Sequence, residues 1–256
     1  QIMTEAGIPD GVINFVPGSG VEIGKTILES KDVSGIVFTG SREVGYRLMS
    51  ESNKTKPRPL IAELGGKNAT IVTDTANLDM AAEGVTKAAF SFSGQKCSAC
   101  SRVYVQKSIK SQFLSKLVEK TKKLVVDNPK ERDSFTGPVI NLNAYNNFKK
   151  FSKLASKHGK ILTGGSVIKN KDFKHGYYVQ PTIVEGLPTD SSLLKKELFV
   201  PILCITEYDR FEKAIKMTNQ SEYGLTSGIY SKKKNEILKF LRDIEAGVVY
   251  VNRKKN

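Results

Sequence analysis

An α/β architecture built on parallel strands follows from three features of this chain. Short β-branched runs alternate with stretches of helical period, and glycine-containing turns join one kind to the other. The composition, 39% apolar and 26% charged, suits a folded domain with a polar exterior. At 256 residues there is room for one large or two modest cores, and no apolar run is long enough to cross a bilayer.

Val12 to Val16 reads as a first strand, followed by Pro17-Gly18-Ser19-Gly20 and a helical stretch through Gly24, Ile27 and Leu28. Gly35 to Thr39 is a second strand, after which Gly40-Ser41 opens a helix running toward Met49. Pro57 and Pro59 punctuate the chain before a short strand, Leu60 to Leu64. The Gly65-Gly66 pair permits backbone angles closed to other residues, so a domain boundary is placed there, dividing 1–65 from 66–256.

A further α/β unit follows. Ala69 to Val72 is a strand, and Leu78 through Phe92 carries Ala81, Ala82, Val85, Ala88 and Ala89 at helical period, with Asp74, Thr75 and Asn77 as capping candidates. The strand Arg102 to Gln106 comes next, then an amphipathic helix bearing Phe113, Leu114, Leu117, Val118 and Leu124. Ile202 to Tyr208, Thr226 to Tyr230 and Val248 to Val251 read as buried strands, separated by helices near Phe211 to Thr218 and Glu236 to Ile244.

The net charge of +14 arises from 40 Lys and Arg against 26 Asp and Glu. Lys122-Lys123, Lys149-Lys150, Lys195-Lys196, Lys232 to Lys234 and Lys254-Lys255 are scattered near expected helix ends and loops, without interleaved aromatics. That pattern describes a solvated basic surface rather than a nucleic-acid reader, although it favours anionic small molecules. Three cysteines make no disulfide framework, and the N-terminal stretch lacks the form of a signal peptide, so a cytoplasmic protein with no membrane partner is expected. His158 and His175 lie in polar, loop-like stretches without a third ligand, so no metal site is expected.

Cys97 lies in the turn Gly94-Gln95-Lys96-Cys97, between a long helix and a strand. A thiolate there is placed to attack an electrophilic carbonyl, with Lys96 and nearby N–H groups favouring its charge. Cys97 and Cys100 also form a C-x-x-C pair, but a redox dithiol opens a helix, whereas this pair precedes a strand. Cys100 and Cys204 read as buried small residues. Glu63 follows Leu60-Ile61-Ala62, which predicts a partly desolvated carboxylate suited to base catalysis. Gly18-Ser19-Gly20 with Gly24, and Gly40-Ser41 with Gly45, are two turns where a phosphate can approach backbone N–H groups at a helix start.

In order and spacing, several stretches resemble the aldehyde dehydrogenase superfamily: Phe38 to Ser41 with Gly45, Glu63 to Asn68, Gly94 to Arg102, Glu197-Leu198-Phe199, Tyr223 to Thr226, and Gly247 to Arg253. The cysteine stretch is most similar to the 1-pyrroline-5-carboxylate dehydrogenase branch. The resemblance implies a partial parallel-sheet, Rossmann-like dinucleotide-binding domain over 1–65 and an α/β catalytic domain over 66–256. It makes Cys97 the nucleophile, its N–H half of an oxyanion site, and Glu63 the base that activates water. It implies NAD or NADP as cofactor, approached by Gly18, Gly40, Ser41, Gly45, Leu64 and Gly65. Glu197 is the implied ligand of the nicotinamide ribose, and Phe199 the ring beside the nicotinamide. Val200 departs from the family's glycine before Pro201.

Ser98 is the implied contact for a substrate carboxylate, which suggests oxidation of glutamate semialdehyde to glutamate, a step of proline catabolism. The chain looks like a fragment lacking the early cofactor-domain strands and the C-terminal segments. An N-terminal companion chain or a homo-oligomer, together with a small-molecule aldehyde, are the implied partners. The other reading is a non-catalytic remnant serving as a binding or assembly subunit.

Overall fold

Strands β1 (Ile36–Thr39) and β2 (Leu60–Glu63) run parallel, with Ile36 opposite Leu60 and Thr39 opposite Glu63. They belong to the first of two compact units, Gln1–Leu64; the second is Gly65–Asn256. The computed structural model describes residues 2–54, 56–169, 173 and 175–253. The Lys254-Lys255 pair therefore lies outside the described residues.

The first unit carries helices α1 (Ile2–Glu5), α2 (Gly20–Glu29) and α3 (Arg42–Glu51). Ser41 caps α3 by accepting from the Val44 N–H at 3.4 Å, as its place before the helix predicts. The C-terminal carbonyls of α2 are gathered by the buried Arg58 guanidinium, which donates to the oxygens of Ile27 (3.0 Å), Leu28 (3.2 Å) and Ser30 (3.1 Å). Val12 to Val16 forms no strand. Its side chains are exposed, Phe15 to 90%, because β propensity is realised only against a pairing edge and this run has none among the described residues.

The second unit holds a seven-stranded sheet. Its strands are β3 (Asn68–Val72), β4 (Cys100–Gln106), β5 (Lys160–Thr163), β6 (Thr182–Glu185), β7 (Ile202–Tyr208), β8 (Thr226–Tyr230) and β9 (Val248–Val251). They lie in the order β5-β6-β7-β4-β3-β8-β9, with only the edge strand β5 antiparallel to its neighbour. Helices α4 (Leu78–Phe90) and α5 (Lys110–Lys122) pack on the sheet through Val85, Phe90, Phe113 and Leu117. Helices α8 (Phe211–Asn219) and α9 (Lys234–Asp243) contribute Ala214, Ile215 and Phe240 to a separate cluster with Ile71, Tyr104 and Tyr208. Helix α6 (Leu142–His158) adds Phe148 and Ala155 to a third, with Val184, Leu193 and Cys204. Every residue of β3 is buried, the pattern of a central parallel strand covered on both faces.

Several expectations are corrected by this packing. Helix α4 stops at Phe90 rather than Phe92, because the chain turns into a 3-10 segment whose Phe92 and Ser93 both have φ of 55°. Helix α6 and strands β5 and β6 were not anticipated. Lys149-Lys150 falls on the exposed face in the middle of α6, and His158 closes that helix rather than lying in a loop. Helix α7 (Ser192–Lys195) is a single turn before β7. Among the described residues, no helix is long and apolar enough to cross a membrane.

Candidate active site

Within the second unit, the residues singled out for chemistry gather at the amino ends of the parallel strands. Cys97 precedes the first residue of β4 by one turn, Glu197 and Phe199 lie just before β7, and Gly65 and Gly66 lie just before β3. The register slips here: Asn68 faces Cys100 while Ala69 faces Arg102, so Ser101 is the unpaired residue of a bulge. That slip re-aims the chain leading back from β4 to the cysteine.

Cys97 occupies the second position of a turn closed by the Ala99 N–H donating to the Lys96 oxygen at 3.1 Å. Its side chain is half-buried, and Ser98 beside it is exposed. Upstream, Phe92, Ser93 and Gly94 all take left-handed backbone angles (φ 55°, 55° and 68°), a costly run for two residues that carry a Cβ. Ser93 is fixed by Thr136, whose hydroxyl lies 2.7 Å from the Ser93 N–H and 2.8 Å from its Oγ. Downstream, the Asn68 carboxamide donates to the Cys97 oxygen at 2.7 Å and the Ala99 oxygen at 2.9 Å.

All three cysteines are free thiols. Cys100 and Cys204 are buried as expected, and burial pushes the Cys100 thiol up to about 11 against the opposing contact with the Thr70 hydroxyl. A thiol held protonated inside β4 is a poor partner for dithiol exchange.

The Glu197 carboxylate accepts from the Gly66 N–H at 2.9 Å. Gly65 and Gly66 are required by close approach: a Cβ at Gly65 falls 2.2 Å from Glu197 Oε2, and one at Gly66 falls 2.3 Å from the Cys97 oxygen. Phe199 is 45% exposed with φ of 53°, and Val200 beside it is buried in the core.

Lys67 was not singled out from sequence, yet it is fully buried and its ammonium has no hydrogen-bond partner among the described residues. Burial brings its pKa down to about 8; Arg102 pushes the same way, while Cys204, Glu197 and Cys100 oppose. The Lys67 oxygen accepts from Arg102 Nε (2.9 Å) and Nη2 (2.6 Å), so the segment Gly66–Asn68 is held at three successive residues. The available signal was a lysine and an asparagine, both poor strand formers, at the entry to an apolar strand.

A cavity of about 440 Å³ opens beside the cysteine turn, lined among others by Ser98, Lys96, Lys87, Tyr250 and Arg253. Arg253 stacks over the Tyr250 ring at 4.3 Å.

In the first unit, Glu63 ends β2 on its exposed face together with Ile61, because alternation sends Leu60 and Ala62 the other way. The expected desolvation of its carboxylate is therefore not found. Gly40 donates its N–H to the Glu63 oxygen at 3.1 Å. Gly45, within α3, packs so closely on Leu64 that a Cβ would lie 2.2 Å from its Cδ2, so this glycine serves helix–strand packing. Gly18 precedes α2, where Ser19 stands at the cap position without a side-chain capping bond.

The aldehyde dehydrogenase family model matches residues 1–256. The chain is 38% identical to the 1-pyrroline-5-carboxylate dehydrogenase of Anoxybacillus flavithermus and 39% identical to that of Staphylococcus haemolyticus, each over 99% of this chain and 49% of the relative. Among solved structures, the Thermus 1-pyrroline-5-carboxylate dehydrogenase with bound NAD superposes with a TM-score of 0.92 at 33% identity, covering 100% of this chain and 49% of that one. The betaine aldehyde dehydrogenase of Staphylococcus aureus in complex with NAD+ gives 0.93 at 30% identity, again over 100% of this chain and 50% of the other. The chain thus spans about half the length of the curated relatives it matches. With the family model matched from end to end and the fold shared, the chain belongs to the aldehyde dehydrogenase family.

Proposed function

We propose that this chain supplies the nucleophile-bearing part of an NAD(P)-dependent aldehyde dehydrogenase, with residues 66–256 as catalytic domain and 1–65 as part of the cofactor-binding domain. What supports this most is the Cys97 turn: a half-buried thiol in a hydrogen-bonded turn, beside a segment that also grips the Glu197 carboxylate. Cys97 Sγ, as thiolate, forms a C–S bond to the aldehyde carbon while the carbonyl electrons move onto oxygen. The resulting alkoxide is received by the Cys97 N–H, which the second position of a turn leaves without a partner among the described residues.

A nicotinamide cofactor held beside Glu197 and Phe199 would supply the hydride acceptor that turns the Cys97 adduct into a thioester. Glu63 removes a proton from a water molecule, whose oxygen bonds to the thioester carbon as the C–S bond breaks and the thiolate is regenerated. Glu197 and Phe199 fit the cofactor: the carboxylate is held at a glycine pair with no room for a Cβ, and the Phe199 ring is presented by a left-handed backbone. The N-terminus of α3, with Gly40, Ser41 and the Gly45–Leu64 packing, suits a phosphate-bearing ligand.

The substrate is proposed to be an aldehyde carrying a carboxylate, of the glutamate semialdehyde type. Ser98 is exposed and lines the same cavity as Lys87, Lys96 and Arg253, a setting that favours an anion. The test is aldehyde-dependent NADH formation by the full chain, alone and mixed with the N-terminal half of the Anoxybacillus relative, using wild type and Cys97→Ala. Turnover by wild type that vanishes in Cys97→Ala is expected. Turnover retained in the variant removes Cys97 as nucleophile, and none under either condition favours a binding or assembly subunit.

A further inference from the structure

The buried side chain closest in role to the cysteine turn is one that carries no reaction chemistry itself. Asn68 is 4% exposed at the first position of β3. A carboxamide offers two N–H donors and a carbonyl acceptor. Both donors are spent on one turn, at the Cys97 and Ala99 oxygens, and Oδ1 accepts from the Thr226 N–H at 3.0 Å. That network fixes which end of the amide is which, since a flip sets an oxygen against two carbonyls and an NH2 against an N–H. Gly66 completes the fit, because a Cβ there lies 2.9 Å from both Asn68 Nδ2 and Oδ1.

The turn needs such support. It follows three left-handed residues, and its own closure is a single backbone bond from Ala99 to Lys96. Holding the Cys97 oxygen fixes the plane of the Cys97–Ser98 peptide, which leaves χ1 as the chief freedom of the thiol. We propose that Asn68 is the positioning residue of Cys97: its carboxamide clamps the cysteine turn to β3 and β8, so that the thiol is presented in one orientation. This rests on Cys97 being the nucleophile. Aspartate keeps the acceptor for Thr226 but loses both donors to the turn, alanine loses all three bonds, and serine is too short to reach two carbonyls at once.

The experiment labels Cys97 of the full chain with bromotrifluoroacetone, confirms the site by peptide mass spectrometry, and records the fluorine NMR spectrum of wild type, Asn68→Ala and Asn68→Asp. Wild type is expected to give one narrow line. Both variants are expected to lose it, giving several lines or one broadened severalfold, with far-UV circular dichroism unchanged. Where turnover is measurable, kcat falls by about a hundredfold in both variants while KM stays within about twofold. A single narrow line in both variants overturns the proposal. Should neither variant fold, the wild-type protein still decides: slow exchange of the Asn68 side-chain NH2 protons with water supports the clamp, and rapid exchange overturns it. A clamp demonstrated in a chain without turnover leaves the positioning intact and removes the proposed activity instead.

Discussion

The Gly66 N–H donates to the Glu197 carboxylate at 2.9 Å, joining residues 131 positions apart in sequence. The two glycines at this point respond differently to a methyl group. At Gly66 the added Cβ meets the Cys97 carbonyl, a backbone atom, at 2.3 Å; at Gly65 it meets Oε2 at the far end of the Glu197 side chain, at 2.2 Å. Gly66→Ala is therefore expected to cost about 2 kcal/mol, and Gly65→Ala about half that, as the Glu197 carboxylate swings away from the Gly66 N–H. Urea unfolding of the two variants beside wild type reads both values, and equal losses contradict the assignment.

Arg58 binds the end of α2 to the segment leading into β2. Replacing it by methionine removes the guanidinium bonds to the Ile27, Leu28 and Ser30 oxygens, for an expected loss of about 2–3 kcal/mol. Hydrogen exchange measured by mass spectrometry locates the effect: amides of α2 gain exchange, while those of β3, β4 and β7 keep their wild-type protection.

Lys67 predicts a pH dependence. Its pKa falls from 10.5 in the unfolded chain to about 8 when folded, so between those values the unfolded state binds the extra proton and stability rises with pH. The ceiling on that gain is about 3 kcal/mol. Above pH 9 the Cys100 thiol works the other way, since burial keeps it protonated when folded while the unfolded thiol ionises. The clean window is therefore pH 8 to 9, where wild type is expected to gain stability relative to Lys67→Met. Parallel pH profiles of the two proteins in urea contradict it.

Much of the parallel sheet was legible because its signals are local. The Asn77 cap, with Leu78, Ala81, Ala82 and Val85 behind it, announces α4, and the Asn77 side chain does accept the Met80 N–H. Helix α6 carried a comparable cap at Asn141 and an apolar stripe at Tyr145, Phe148 and Ala155, but its lysines and asparagines thin that stripe and it went unread. Val12 to Val16 failed for the opposite reason, a strong local preference without a neighbouring edge. Cys97 and Gly66 could be named from sequence because a cysteine turn and a glycine pair mark them, and Glu197 through the family resemblance of Glu197-Leu198-Phe199. Asn68 and Lys67 could not, since their significance lies in partners such as Thr226 and Glu197, which are more than a hundred positions away.

The place of β3 in the middle of the sheet sets the order in which the molecule can assemble on the ribosome. One of its edges is satisfied by β4, soon after it emerges, but the other waits for β8, and the Asn68 bond to Thr226 spans 158 residues. At ordinary translation speeds that interval is on the order of ten to thirty seconds. Throughout it, a strand that the finished fold buries on both faces keeps an open hydrogen-bonding edge, which makes the nascent chain a natural client for chaperones until β8 has been synthesised.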